Sequence, residues 1–110
     1  MTKDITMEDK TLIEINNTLT GELGDIIEKI ILFGSRAHGF SDKYSDYDIL
    51  IILNTEIDWQ LEWKIYDLCF NISLENDILI DVKIISSSDL NTIRGRQPYI
   101  QEALSTGITL

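Results

Sequence analysis

Apolar positions along the chain switch between a helical and an extended period. Between residues 7 and 23, Leu12, Ile13, Ile15, Leu19 and Leu23 recur every three or four positions, which predicts a helix frayed at its end by Gly21 and Gly24. Residues 29–33 and 46–53 are short apolar runs of strand length. They are separated by a polar, glycine-bearing loop that opens as a short helix at Ser35, and Asn54 and Thr55 stop the second run. Residues 58–74 carry the clearest amphipathic pattern: Leu61, Ile65, Leu68, Cys69 and Ile72 form a stripe, with Glu62, Lys64 and Asp67 off it. Residues 78–85 predict a third strand. The SSSDL segment reads as a helix cap with an acid in its first turn. Pro98 opens a last helix to residue 106, and Gly107 ends it, leaving ITL as a tail.

That order predicts an α/β (α+β) fold: a small mixed β-sheet flanked by helices, organised as a single domain over residues 1–110. An apolar fraction of 44 % supports a packed core and sets the chain apart from disordered acidic tails. The single cysteine, Cys69, lies on the apolar stripe and reads as core; it permits no internal disulfide and fits a reducing compartment. The first ten residues, MTKDITMEDK, hold no apolar signal stretch and no run is long enough to span a membrane, so a cytoplasmic location is expected.

Charge narrows the choice of partner. Nineteen acidic residues against nine basic ones leave a net charge of −10. Such a surface repels a polyanion, so direct nucleic-acid binding is not expected. It suits a basic protein partner, or a small anionic substrate that arrives with a divalent ion.

The chemistry concentrates in one stretch, LFGSRAHGFSDKYSDYDILI, from Leu32 to Ile51. Asp46 and Asp48 are two apart, so on an extended chain their carboxylates share one side and repel each other. Either a cation sits between them or one of them takes up a proton. Magnesium prefers oxygen ligands and brings phosphate oxygens with it. Asp81, on the third predicted strand, shares a face with Leu79 and Lys83, while Ile80 and Val82 point the other way. If the strands are neighbours, it completes a three-acid cluster of the kind used in phosphoryl and nucleotidyl transfer. Upstream, Gly34 and Ser35 end a strand and open a turn, where exposed backbone amides and the serine hydroxyl suit a phosphate. Arg36 and Lys43 are candidate partners for phosphate charge, and His38 is a weaker one. No GK[ST] follows these glycines and no GxGxxG is present, so the loop is neither a P-loop nor a dinucleotide site.

The run GSRAHGFSDKYSDYDIL closely resembles the signature of the minimal nucleotidyltransferases of the DNA polymerase beta superfamily: Gly-Ser, a loop, Asp-x-Asp, and a third Asp on a later strand. Matched residue by residue, the resemblance assigns Gly34 and Ser35 to the phosphate loop, Asp46 and Asp48 to a metal pair, and Asp81, within IDVKI, to the third acid. His38 departs from the arginine common at its position, which places more weight on Arg36 and Lys43. The ending PYIQEALSTGITL is similar to the close of the small antitoxin branch. The resemblance implies a polymerase-beta-like core, magnesium as cofactor, ATP as nucleotide substrate, and an all-helical HEPN toxin as partner, silenced by transfer of AMP to a tyrosine.

Two other readings compete. A non-catalytic antitoxin would mask a basic partner surface through its charge and an apolar patch including Trp59, Trp63 or Tyr99. A transferase acting on a small molecule would need a substrate-binding domain for which the chain has no evident room. Trp59 and Trp63 are four apart on one helix side and suit helix packing or a partner surface. Tyr44 and Tyr47 flank the acids, with Tyr47 expected in the core. Arg94 and Arg96 are a late basic pair placed for a nucleotide or a partner.

Overall fold

The computed structural model describes residues 9–39 and 45–110. The central strand explains the architecture best. YDILIIL is apolar at nearly every position because β2 (Tyr47–Leu53) is covered on both faces, and residues 49–53 are all buried. It pairs antiparallel with β1 (Ile27–Phe33) and parallel with β3 (Ile80–Ser86). Parallel neighbours cannot be joined by a hairpin, and the crossover is made by helix α2 (Trp59–Asn76). The sheet is therefore mixed, in the order β3-β2-β1-β4.

Helix α1 (Lys10–Leu23) starts at an Asp9 cap, whose Oδ1 accepts the N–H groups of Thr11 and Leu12 at 2.9 and 3.2 Å. It buries Leu12, Ile15, Leu19 and Leu23, while Ile13 stays largely exposed. Start residues 7 and 8 of the predicted helix lie outside the described residues. Helix α2 is capped by Asp58, whose Oδ1 accepts the Leu61 N–H at 2.8 Å, and buries Ile65, Cys69 and Ile72. Both helices lie on the face of the sheet to which Tyr47, Ile49, Ile51 and Leu53 point. Burial pushes the Cys69 thiol up to about 11, in keeping with a packing role.

The opposite face, with Ile31, Phe33, Leu50, Ile52 and Ile85, is covered by the nine-residue helix α3 (Pro98–Thr106) through Ile100 and Ala103. Of the sheet, α3 packs chiefly on β1, and on β3 Ile85 is buried while the Asp81 end of this face is left open. That gap is where the acids lie.

Two expectations need correction. The ITL tail is not free: Ile108 and Thr109 form β4, pairing antiparallel with Leu32 and Ile31, and the Leu110 N–H donates to the Ile30 carbonyl at 2.8 Å. The outer edge of β1 supplies the partners, and two residues are too few to show a strand period in sequence. The SSSDL segment forms only a 3-10 turn (Ser87–Asn91), with no side-chain cap from Ser86, whose hydroxyl lies 3.1 Å from that of Ser88. It lacks the apolar repeat that would anchor a longer helix.

Ile51, fully buried between α1, α2 and the sheet, tests this core. Ile51→Ala is expected to lower the unfolding free energy by about 2–5 kcal/mol in urea denaturation; a loss under about 1 kcal/mol would contradict the packing described.

Candidate functional site

The site is assembled by strand register. Antiparallel pairing sets Phe33 opposite Asp48, and parallel pairing sets Asp48 opposite Asp81. The residue that follows Phe33 is Gly34, so the β1–loop junction meets the Asp48 side chain. Gly34 has φ 75° and ψ −159°, a conformation open to glycine alone. A Cβ there would run into Asp48 Oδ2, so the absence of a side chain is what admits the carboxylate. Ser35 then begins a 3-10 turn (Ser35–His38): the Ala37 N–H donates to the Gly34 carbonyl at 3.1 Å, and Gly39 closes the turn at φ 75°. Ser35 itself is exposed.

Asp46 precedes β2 and is exposed, on the same side as Asp48 by strand alternation. Asp48 is half-buried and its carboxyl is held above the usual carboxylate range. Burial is the main cause, followed by the charges of Asp81, Asp46 and Glu102, with Lys83 acting against them. Two of these groups were not anticipated from the sequence. Glu102 comes from α3, where nothing in PYIQEALST marks it as a site residue. Lys83 lies two residues beyond Asp81 on the same face; its Nζ is 3.5 Å from Asp81 Oδ1 and 5.5 Å from the centre of the Tyr99 ring. The alternation of β3 already put Lys83 beside Asp81, and that was the available signal.

Arg36 is drawn into a different set of contacts. Its Nε donates to the Ser45 carbonyl at 2.8 Å, its guanidinium stacks 3.8 Å from the Tyr47 ring centre, and Asp9 Oδ2 lies 4.0 Å away. The Tyr47 hydroxyl donates to the same Asp9 oxygen at 2.7 Å. Burial, and then Asp9, raise the Tyr47 phenol above its ordinary value. These contacts tie the two ends of the loop to the start of α1, on the face of β2 opposite Asp48. His38 Nε2 lies 3.4 Å from Thr106 Oγ1. Lys43 and Tyr44 lie outside the described residues. Arg94 sits 3.5 Å from Asp89 and Arg96 is exposed; Arg94 lines a cleft with Glu56, Glu62 and Ser86, near the far end of β3 from Asp81.

Among the described residues, no three of the His, Cys, Asp and Glu side chains are grouped so as to hold a metal ion; Asp81 faces Lys83 instead. The donor chemistry nonetheless fits a hard divalent cation. It consists of carboxylate oxygens on one face, and the Asp48 carboxyl is raised first by burial and then by the charges of its acidic neighbours.

Two outcomes follow from this geometry. Gly34→Ala should destabilise the chain by about 1–3 kcal/mol. Part of that loss should return in a Gly34→Ala/Asp48→Ala double variant, where the collision with the carboxylate is gone while the φ cost and the close Cβ of residue 48 remain; strictly additive losses in urea denaturation would contradict the contact. The second concerns pH. Because the folded chain raises the Asp48 carboxyl above 3.8, it binds that proton more tightly than the unfolded chain. The resulting stability is present at pH below the ordinary value and lost as pH rises through the raised one. Asp48→Asn should therefore melt higher than wild type at pH 7, with the gap closing toward pH 3; equal melting curves at pH 7 would refute it.

Comparison with known proteins bears on the whole chain. The family described as "Polymerase beta, Nucleotidyltransferase" matches residues 6–110. The chain is 36 % identical over 103 residues to "Putative protein adenylyltransferase MJ0604" of Methanocaldococcus jannaschii, covering 94 % of this chain and 97 % of that protein. A second protein from the same organism, "Putative protein adenylyltransferase MJ0141", is 36 % identical over 67 residues, or 61 % of this chain and 68 % of the relative. Among solved structures, a chain of a toxin–antitoxin complex with AMP-PNP superposes with a TM-score of 0.60 at 22 % identity, covering 88 % of this chain and 69 % of that one. A chain from the Shewanella oneidensis complex of tri-AMPylated HEPN toxin with MNT antitoxin gives 0.50 at 18 % identity, covering 90 % and 70 %. These structural likenesses speak to the fold. With the family match spanning nearly all of the sequence, the chain belongs to the polymerase beta nucleotidyltransferase family.

Proposed function

We propose that the chain transfers AMP from ATP to a hydroxyl, of a tyrosine, on a HEPN-type toxin, and so acts as its antitoxin. The observation that carries this reading is the junction of Gly34, Asp48 and Asp81, where a glycine turn and two register-matched carboxylates meet on the open part of the sheet. The protein-adenylyltransferase names of the two Methanocaldococcus relatives and the AMPylated toxin in the Shewanella complex support it.

In this reading the amides after Gly34 and the Ser35 hydroxyl hold the β- and γ-phosphates. The acceptor oxygen forms a bond to the α-phosphorus, the bond from that phosphorus to the bridging oxygen breaks, and pyrophosphate leaves with the electron pair. The acceptor proton passes to a carboxylate of the cluster, for which the exposed Asp81 is available. Asp46, Asp48 and Asp81 would hold magnesium, which when bound neutralises phosphate charge and lowers the pKa of the attacking hydroxyl. Lys83 would then exchange its partner, leaving Asp81 for a phosphate oxygen. Arg36 serves by bracing the loop through Tyr47 and Ser45, and Lys43 stays a candidate for phosphate charge.

A second reading, inhibition by masking alone, is favoured by the exposed Trp59 and Trp63. One experiment separates the two. Intact-mass spectrometry of a HEPN-type toxin incubated with the chain, ATP and magnesium should show added adenylate units. The Asp46→Asn/Asp48→Asn variant should slow their appearance about a thousand-fold or more, equivalent to about 4 kcal/mol of barrier. Full protection from toxicity by that variant, with no mass gained, would establish masking instead.

A further inference from the structure

Helix α2 is apolar on two sides. One side, Ile65, Cys69 and Ile72, packs into the core. On the other, Trp59, Trp63, Tyr66, Phe70 and Leu74 recur at i, i+4, i+7, i+11 and i+15, the spacing of a single continuous stripe. Four of these, Trp59, Trp63, Phe70 and Leu74, are between 60 % and 70 % exposed. Single exposed apolar residues are ordinary, whereas a row of this length with two tryptophans is a docking feature. The stripe runs beside the outer edge of β3, the last strand of the sheet on that side. Between them lies a groove of about 690 Å³ whose walls include Phe70, Leu74, Leu79, Ile80 and Val82. An amphipathic helix lays its apolar ridge into such a groove at matching intervals.

Charge on the rim selects the occupant. Residues 58–77 contain Asp58, Glu62, Asp67, Glu75 and Asp77 against the single cation Lys64, which lies 3.8 Å from Glu22. Glu62 and Asp67 flank the stripe on opposite sides. A second copy of the chain would bring two acidic rims and two net charges of −10 together. A helix whose apolar ridge is bordered by Lys and Arg would meet opposite charge on both borders. The groove shares a strand with the site described above: its wall includes Ile80 and Val82, which flank Asp81 along β3 and point to the opposite face of the sheet.

We infer that the Trp59–Trp63–Tyr66–Phe70–Leu74 face of α2, with the β3 edge, is the docking surface for a basic-flanked amphipathic helix of the protein the chain acts on. This rests on the proposed reading only for the identity of that protein, a HEPN-type toxin.

The test uses the full chain and a HEPN-type protein, with affinity read by calorimetry and modification by intact mass. Trp63→Gln/Phe70→Gln replaces exposed side chains by helix-forming polar ones, so its melting temperature and circular dichroism should match wild type. Its Kd should rise about 100-fold or more. Glu62→Lys/Asp67→Lys should weaken binding about tenfold and flatten its salt dependence. Asp46→Asn/Asp48→Asn should bind as wild type does. Loss of binding in the stripe variant when wild type binds but adds no adenylate supports the docking surface while refuting the transfer reading. Unchanged affinity in both surface variants overturns the docking surface and leaves the transfer reading standing. A wild-type homodimer in light scattering that the stripe variant dissolves overturns the proposal in favour of a second copy. Absence of any wild-type complex overturns the partner as well as the surface.

Discussion

The parallel pairing of β2 with β3 governs what the rest of the molecule can do. It sets Asp48 beside Asp81, on a face where covering helix is short and water is only partly excluded. Burial first, and then the like charges held beside it, raise the Asp48 carboxyl. The neighbouring features answer the same problem. Lys83 faces Asp81, Gly34 leaves space for the Asp48 oxygen, and α3 stops short of covering the β3 end. A site of this kind is expected to work against stability, because charge wanted by a ligand is unwelcome without it.

Rigidity for this arrangement comes from the opposite face. There Leu12, Ile15 and Leu19 of α1 and Ile65, Cys69 and Ile72 of α2 close over Ile49, Ile51 and Leu53. The Asp9–Tyr47–Arg36–Ser45 contacts carry that rigidity to the ends of the loop. Asp9 serves twice, as the cap of α1 and as the acceptor for Tyr47. The loop is thus anchored by polar contacts to a helix start, while its glycine turn stays open toward the acids. Arg36, expected among the phosphate contacts, also reaches Tyr47 and Ser45 on the bracing side, contacts that its position in the motif did not disclose.

Helix α2 joins the two halves of the molecule's work. Its core side closes the sheet, and its outer side carries an apolar row bordered by acids. Sequence periodicity registered the first side clearly, since Leu61, Ile65, Leu68, Cys69 and Ile72 stand out against charged neighbours. The second side was visible only in part, as Trp59 and Trp63. Tyr66, Phe70 and Leu74 extend that row, but in a helix apolar on both sides the two stripes interleave. Only packing against the sheet shows which one remains in water.

By itself the sequence determined the elements and the motif. Strand alternation put Asp46 and Asp48 on one side and Tyr47 on the other, and apolar period separated helices from strands. The Gly-Ser turn followed by Asp-x-Asp marked the chemistry, because these depend on neighbours within a few residues. What tertiary structure alone decided depends on residues far apart in the chain. It paired β2 with β3 so that Asp81 meets Asp48, drew Glu102 into the cluster, turned Arg36 onto Tyr47, and made a strand of Ile108 and Thr109. Register and edge pairing arise from hydrogen bonds and packing between segments, and no local period encodes which segments will meet.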